Sequence, residues 1–231
     1  MSSYCGSPPL PDEILLRWNL DPVLILGLLG CALLAMRSAR PRSAMAGVGV
    51  LAVVFVSPVC AISVALFSAR ALHHILIVAV AAPLIAHAFP AQRSAHVGLA
   101  LAVSTVTLWL WHLPGPYDRA LADSLVYWAM QASLLGTSIW FWRALFAAQP
   151  VSASFAAIGA MAQMGMLGAL LTFAPNALYL THAGTTLPWG MTQLEDQQLA
   201  GLLMWVLGTV PYAIATALVA RRIWAQAAAS A

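Results

Sequence analysis

Seven long stretches of the chain are almost uninterrupted in apolar residues: 22–36, 44–67, 71–89, 95–111, 121–146, 153–173 and 198–220. They run on without a period of two, so each predicts a helix, and an outer-membrane barrel with its alternating strands is excluded. Most are close to the roughly 20 residues that cross a bilayer. The first is short, and residues 14–20 are a candidate extension. Pro58 and Pro211 fall inside these stretches and predict kinks. Pro41, Pro90, Pro114, Pro116 and Pro150 fall between them and mark connections. The longest connection, 174–197, carries Asn176, Gly184, Thr185, Thr186, Pro188 and Gly190. The pattern predicts an all-α, polytopic integral membrane bundle of about seven transmembrane helices. It forms one transmembrane domain over 1–231, with a short extracytoplasmic tail at about 1–19 and no internal repeat.

Composition sharpens this. Hydrophobic residues make up 62% of the 231 and charged residues 7%, where a soluble domain carries about a quarter charged. Too few polar groups exist to cover a water-facing surface, which excludes a cytosolic enzyme, a disordered chain and a small disulfide-stapled module. All ten basic residues are arginine. Arg37, Arg40, Arg42, Arg93, Arg143, Arg221 and Arg222 fall at one end of the predicted helices, and Arg17, Arg70 and Arg119 at the other. The positive-inside rule makes the first end cytoplasmic and the N-terminus external. Asp12, Glu13, Asp21, Asp118, Asp123, Glu195 and Asp196 all fall on the arginine-poor side. The arginines form no dense basic face, so nucleic acid is not an expected partner; the lipid bilayer is. The N-terminus holds Asp12 and Glu13 and no apolar core of a signal peptide. Cys5, Cys31 and Cys60 are odd in number and far apart, which predicts no disulfide framework, with Cys31 and Cys60 as packing residues.

The same sidedness sorts the histidines. His73, His74, His112 and His182 fall at the outer end, His87 and His96 at the inner. Imidazole is the commonest transition-metal ligand and thioether favours Cu(I). His74 and His112, with His73 and a methionine such as Met130, Met166 or Met204, are therefore candidate copper ligands. His73 and His74 diverge by about 100° around a helix, so one of them at most is expected to face a given site. The plainer alternative is that rim histidines hydrogen-bond to neighbouring helices. Asp118 and Asp123 fit a polar loop and a helix start. Asp196 fits either a helix cap or polar support and docking beside a metal ligand. No hydrolytic, phosphate-binding or dinucleotide motif occurs, so no enzyme is expected. No ionisable residue falls deep in a predicted span, which disfavours a transporter.

Two stretches carry a family likeness. Trp111-His112-Leu113-Pro114-Gly115-Pro116-Tyr117-Asp118-Arg119-Ala120-Leu121 and Leu194-Glu195-Asp196-Gln197-Gln198-Leu199-Ala200-Gly201-Leu202-Leu203-Met204-Trp205 resemble signatures of the CtaG-type cytochrome c oxidase assembly family, associated with caa-type oxidases. Ser57-Pro58, Phe67-Ser68, His74, Ala82-Pro83-Leu84 and Phe173-Ala174-Pro175 with Tyr179 resemble its remaining pattern. The resemblance implies a multi-pass factor of the bacterial inner membrane, with oxidase subunits as partners, that helps mature a haem-copper oxidase. It also implies copper handling at the extracytoplasmic face. The alternative is a metal-free scaffold that binds oxidase subunits. Where the family pattern carries further histidines, this chain has Arg70, Tyr127 and Gln131.

Overall fold

The computed structural model describes residues 3–90 and 96–229. The chain is 79% helix, with no β-strand among the described residues. Among the described residues eleven α-helices follow in order: α1 Pro22–Met36, α2 Pro41–Val56, α3 Pro58–Ala65, α4 Phe67–Ile75, α5 Ala82–Ala88, α6 Val97–His112, α7 Pro114–Ala122, α8 Ser124–Ala147, α9 Pro150–Phe173, α10 Gln193–Val206 and α11 Val210–Ala229. A π-helical turn, Leu76–Ala81, joins α4 to α5 into one rod. Among the described residues each predicted apolar stretch is mostly helical, with breaks at Ser57, Leu66, Asp123 and 207–209. By length and apolarity, Phe67–Ala88, Pro150–Phe173 and Gln193–Ala225 can each cross a membrane, and five spans result if each bent pair counts as one. Arg93 and the first residue of the predicted span at 95–111 lie outside the described residues.

Proline explains where the boundaries moved. Pro22, Pro41, Pro58, Pro114 and Pro150 each occupy the first turn of a helix. There the missing N–H costs nothing and the fixed φ is already helical. Residues read as connection therefore belong to helix, and the spans predicted from 44 and 153 begin at 41 and 150. Pro58 bends α2 against α3 by 52°. The stretch 113–120, expected as a polar loop, is instead α7, turned 73° from α6. Ahead of Pro211 the last rod breaks briefly at residues 207–209. The break expected at 68–70 falls at Leu66, which is extended. Arg70, expected in the connection, therefore lies in the first turn of the Phe67–Ala88 rod and is wholly buried.

In the packed bundle α10 lies against α9 and α4, α11 against α9, and α6 against α8 and α9. α5 packs on α8 and α2, leaving α1 at the edge against α2. Two ends are distinct. One gathers the N-terminal tail, the starts of α4, α8 and α10, the end of α6, and the loop 174–192. At the opposite end Arg40 donates to the His87 carbonyl at 2.5 Å and Arg143 to the Pro90 carbonyl at 3.4 Å.

The tail is fastened by a disulfide between Cys5 and Cys60. This corrects the reading of Cys60 as a packing residue and of the chain as disulfide-free. Cys31, the remaining thiol, is exposed rather than packed. No local spacing announces a pair 55 residues apart; only the folding of α3 back under the tail brings them together. Tyr4 adds to the fastening by donating to the Asp21 carboxylate at 2.6 Å, and Asn19 donates to the Phe55 carbonyl at 3.1 Å. The Tyr4 hydroxyl is raised by burial and by that bond, while the bond holds the Asp21 carboxyl below its ordinary range. Closing a loop of this length stabilises by about 2–4 kcal/mol. Cys5→Ser is expected to lower the thermal midpoint of the detergent-purified protein. Reductant should bring the wild type down to the same midpoint and leave the variant where it is.

Candidate functional site

Construction of the site begins with an acid and ends with a row of imidazoles. The extended Leu66 leaves the first N–H groups of α4 without helical partners. Asp196, from the first turn of α10, supplies the acceptors: Phe67 N donates to it at 2.6 Å, Ser68 N at 3.1 Å, and the Ser68 hydroxyl donates as well. Asp196 is thus a cap, as one reading had it, but for a helix 128 residues away in sequence. Its own helix is capped by Thr192 and Glu195 in a reciprocal capping box. The side chain is wholly buried, so it presents nothing at the surface for a partner to dock on.

The loop 174–192 is tied down by motif residues. Asp118 accepts from Leu180 N at 3.3 Å, Thr181 N at 3.2 Å and Thr181 Oγ1 at 2.7 Å. Gln197 accepts from Leu178 N at 2.7 Å. Tyr179 donates to the His112 carbonyl at 2.8 Å. His182 is buried, its Nδ1 3.3 Å from the Ala65 carbonyl and its Nε2 2.8 Å from the Tyr117 hydroxyl. A carbonyl can only accept, so Nδ1 carries the proton and Tyr117 donates to Nε2. Burial pushes this imidazole down to about 4, so it stays neutral and both nitrogens are spoken for. Asp123 accepts from Leu125 N and Val126 N and caps α8, as expected.

One to two turns below the Asp196 cap, α4 places Arg70, His73 and His74, all buried. His112 arrives from the end of α6. The ring centres of His74 and His112 are 5.8 Å apart, and those of His73 and His74 5.7 Å. All four nitrogens of His73 and His74 lack a hydrogen-bond partner among the described residues. Both rings are enclosed, His73 edge-on to Phe55 at 5.2 Å. His112 Nδ1 lies 2.7 Å from the Leu108 carbonyl, which fixes the proton on Nδ1 and leaves Nε2 as a bare donor atom for a metal. Of the three methionines, Met130 and Met204 are buried in the core, whereas Met166 is 47% exposed and turns away from it. No group of three or more His, Cys, Asp or Glu side chains is placed to hold a metal ion among the described residues.

The rest of the wall is polar without being acidic. Arg70 donates from Nε to the Ser63 carbonyl at 3.2 Å and lies over the Tyr127 ring, Cζ 5.3 Å from its centre. Tyr4 stacks on Tyr127 at 5.1 Å and meets Trp128 edge-on at 4.9 Å. The tail therefore covers the cluster from outside. Gln131, one turn along α8 from Tyr127, is buried with neither amide atom hydrogen-bonded. Directly beyond His74 the helix takes its π turn, a feature frequent at functional sites. Pro83 cannot donate to the carbonyl one turn back, and the Trp142 indole donates to the neighbouring Val78 carbonyl at 2.9 Å. Neither Tyr4 nor the π turn stands out in the sequence. Pro83 was the available signal for the second, and nothing pointed to the first.

Among comparisons with known proteins, the family model described as cytochrome c oxidase caa3 assembly factor (Caa3_CtaG) matches residues 91–226. No curated protein and no solved structure matches the chain.

Proposed function

The chain belongs to the caa3-type cytochrome c oxidase assembly factor family, and from that premise we propose that it is a non-enzymatic inner-membrane factor that handles Cu(I) for a haem-copper oxidase. In this reading the chain crosses the bilayer seven times with its N-terminus outside and associates with oxidase subunits. His74 and His112 hold the ion, His73 stands beside them, and Asp196 and Asp118 support the site through the helix and loop they fix.

The observation that carries the copper reading is the His74–His112 pair. Two imidazoles binding one ion through nitrogen at about 2.0–2.1 Å have ring centres about 5–6 Å apart, from tetrahedral to near-linear coordination, and these stand at 5.8 Å with His74 unpartnered and His112 Nε2 bare. Neutral imidazoles in an apolar surround suit a soft monovalent cation. Sidedness has two supports. The arginines concentrate at the end opposite the site, and a disulfide fastens the site's end, as befits an oxidising compartment.

Purified protein titrated with Cu(I) against a chromogenic chelator is expected to bind about one equivalent. His74→Ala with His112→Ala should abolish that binding. Unchanged stoichiometry in the double variant removes the copper reading. A specific observation favours the second reading, a metal-free scaffold for oxidase subunits: the Arg70 guanidinium, one turn from His74, repels a cation. Loss of the gene would then impair oxidase assembly in a way that added copper does not rescue.

A further inference from the structure

Arg70 is a full charge held inside the bundle, and its surroundings account for only part of it. The guanidinium edge at Nε is taken by the Ser63 carbonyl, which is free because Phe67 N, its helical successor, donates to Asp196 instead. The face is covered by Tyr127. The remaining edge, Nη1 and Nη2 with four N–H donors, has no well-formed hydrogen bond among the described residues; the Tyr127 hydroxyl is the nearest polar group to the guanidinium and leaves most of these donors unmet. No acid of the chain stands ready to meet it. Asp196 is engaged by Phe67 and Ser68, Asp118 by Leu180 and Thr181, and Asp21 by Tyr4 and Val23. The one ion pair among the described residues joins Arg17 to Glu13.

The unpartnered edge has company. His73 and His74 follow Arg70 at i+3 and i+4, the spacings that share a helix face, and each neutral imidazole carries one N–H with no acceptor. Gln131 adds an amide with two more donors from α8. A buried positive charge without a counter-charge is strongly unfavourable, and a guanidinium edge with two parallel N–H vectors matches a carboxylate in bidentate fashion. Arg70 and His73 are entirely out of contact with solvent, so a group that meets them is enclosed by the bundle and must be small.

We propose that Arg70, with His73, His74 and Gln131, is the receptor for a small carboxylate anion of the formate, acetate or bicarbonate class. The anion is taken end-on by Nη1 and Nη2, with an imidazole or amide N–H as a further donor. The site adjoins the copper pair but does not rest on copper binding. Where both are present the two bindings assist each other, since an anion on Arg70 removes the repulsion felt by a cation at His74 and His112, and such coupling is reciprocal.

The test uses the full chain, detergent-purified and stripped of metal with a chelator. Sodium formate replaces sodium isethionate at constant ionic strength, thermal unfolding is followed, and ¹³C-formate is observed by saturation transfer. The expected result is a saturable rise in the thermal midpoint together with a transfer signal. Arg70→Gln should abolish both, Gln131→Leu should weaken formate several-fold, and Arg143→Gln, at the opposite end, should leave both unchanged. If Arg70→Gln does not fold, the transfer signal in the wild type and its weakening in Gln131→Leu decide alone. The proposal is overturned if the wild type shows no saturable response, if Arg70→Gln responds like the wild type, or if chloride saturates the effect while formate does not. Formate binding without Cu(I) binding would remove the copper reading and leave this one standing; the reverse would remove this one alone.

Discussion

Asp196→Ala is expected to destabilise the protein by about 3–5 kcal/mol, since each buried donor left unpaired costs about 1–3 kcal/mol and three lose their acceptor. The change strips the acceptor from Phe67 N, Ser68 N and the Ser68 hydroxyl at once. None of the three can turn to water, since Phe67 and Ser68 are buried with it. Asp196→Asn keeps one acceptor oxygen but presents an NH₂ to donors, so it should fall between alanine and wild type. Ser68→Ala removes a single bond and should cost about 1 kcal/mol. Because the two residues share that bond, the double variant should cost less than the sum. Denaturant titration in detergent, monitored by tryptophan fluorescence, measures all four. A midpoint for Asp196→Ala within experimental error of wild type would mean that α4 does not depend on α10 for its cap, and the account of how Arg70, His73 and His74 are positioned would fail with it.

The helices were legible in the sequence because their signal is local. A run of apolar residues announces itself whatever packs beside it, and α1 at 22–36 emerged with the boundaries expected. The Pro58 kink was equally local. What the sequence did not announce were pairings made across the fold. Asp196 follows Glu195 at a helix start, so its neighbours argue for capping its own helix; only the close packing of α10 on α4 lets it cap another. Cys5 and Cys60 look unrelated along the chain for the same reason. The rim histidines were correctly expected at one end, yet the side chains that looked most chemical divide into two kinds. His182, Asp118, Asp123 and Asp196 are engaged in hydrogen bonds that build the scaffold. His73, His74, Arg70 and Gln131 keep unpartnered atoms. Residue type cannot tell these kinds apart, because the difference is whether a neighbour supplies the complementary atom.

Gly201→Val is expected to be the most damaging single change in the bundle, costing about 5 kcal/mol or more, or preventing folding altogether. α9 and α10 cross backbone to backbone at Gly168 and Gly201. A Cβ on Gly201 would lie 2.5 Å from the Gly168 carbonyl oxygen and 2.6 Å from Thr172 N, and would also strike the Thr172 hydroxyl. A Cβ on Gly168 would lie 2.7 Å from both the Gly201 oxygen and Trp205 N. Apart from the Thr172 hydroxyl these obstacles are main-chain atoms, so no rotamer change relieves them; the helices must move apart. Close approach through small residues is how helices associate where lipid offers no hydrophobic drive, so the loss is not recovered elsewhere. The displacement also carries α10 away from α4 and draws Asp196 off the N–H groups it caps. Gly201→Ala should therefore already be severe. Gly165→Ala, one turn earlier on α9, is the contrast, because its Cβ would meet Trp205 Cδ1 at an ordinary 3.6 Å. Expression, monodispersity in detergent and unfolding midpoint compare the three. Equal tolerance of alanine at 165 and 201 would show that the α9–α10 crossing is looser than the backbone contact requires, and that Asp196 reaches α4 by some means other than this interface.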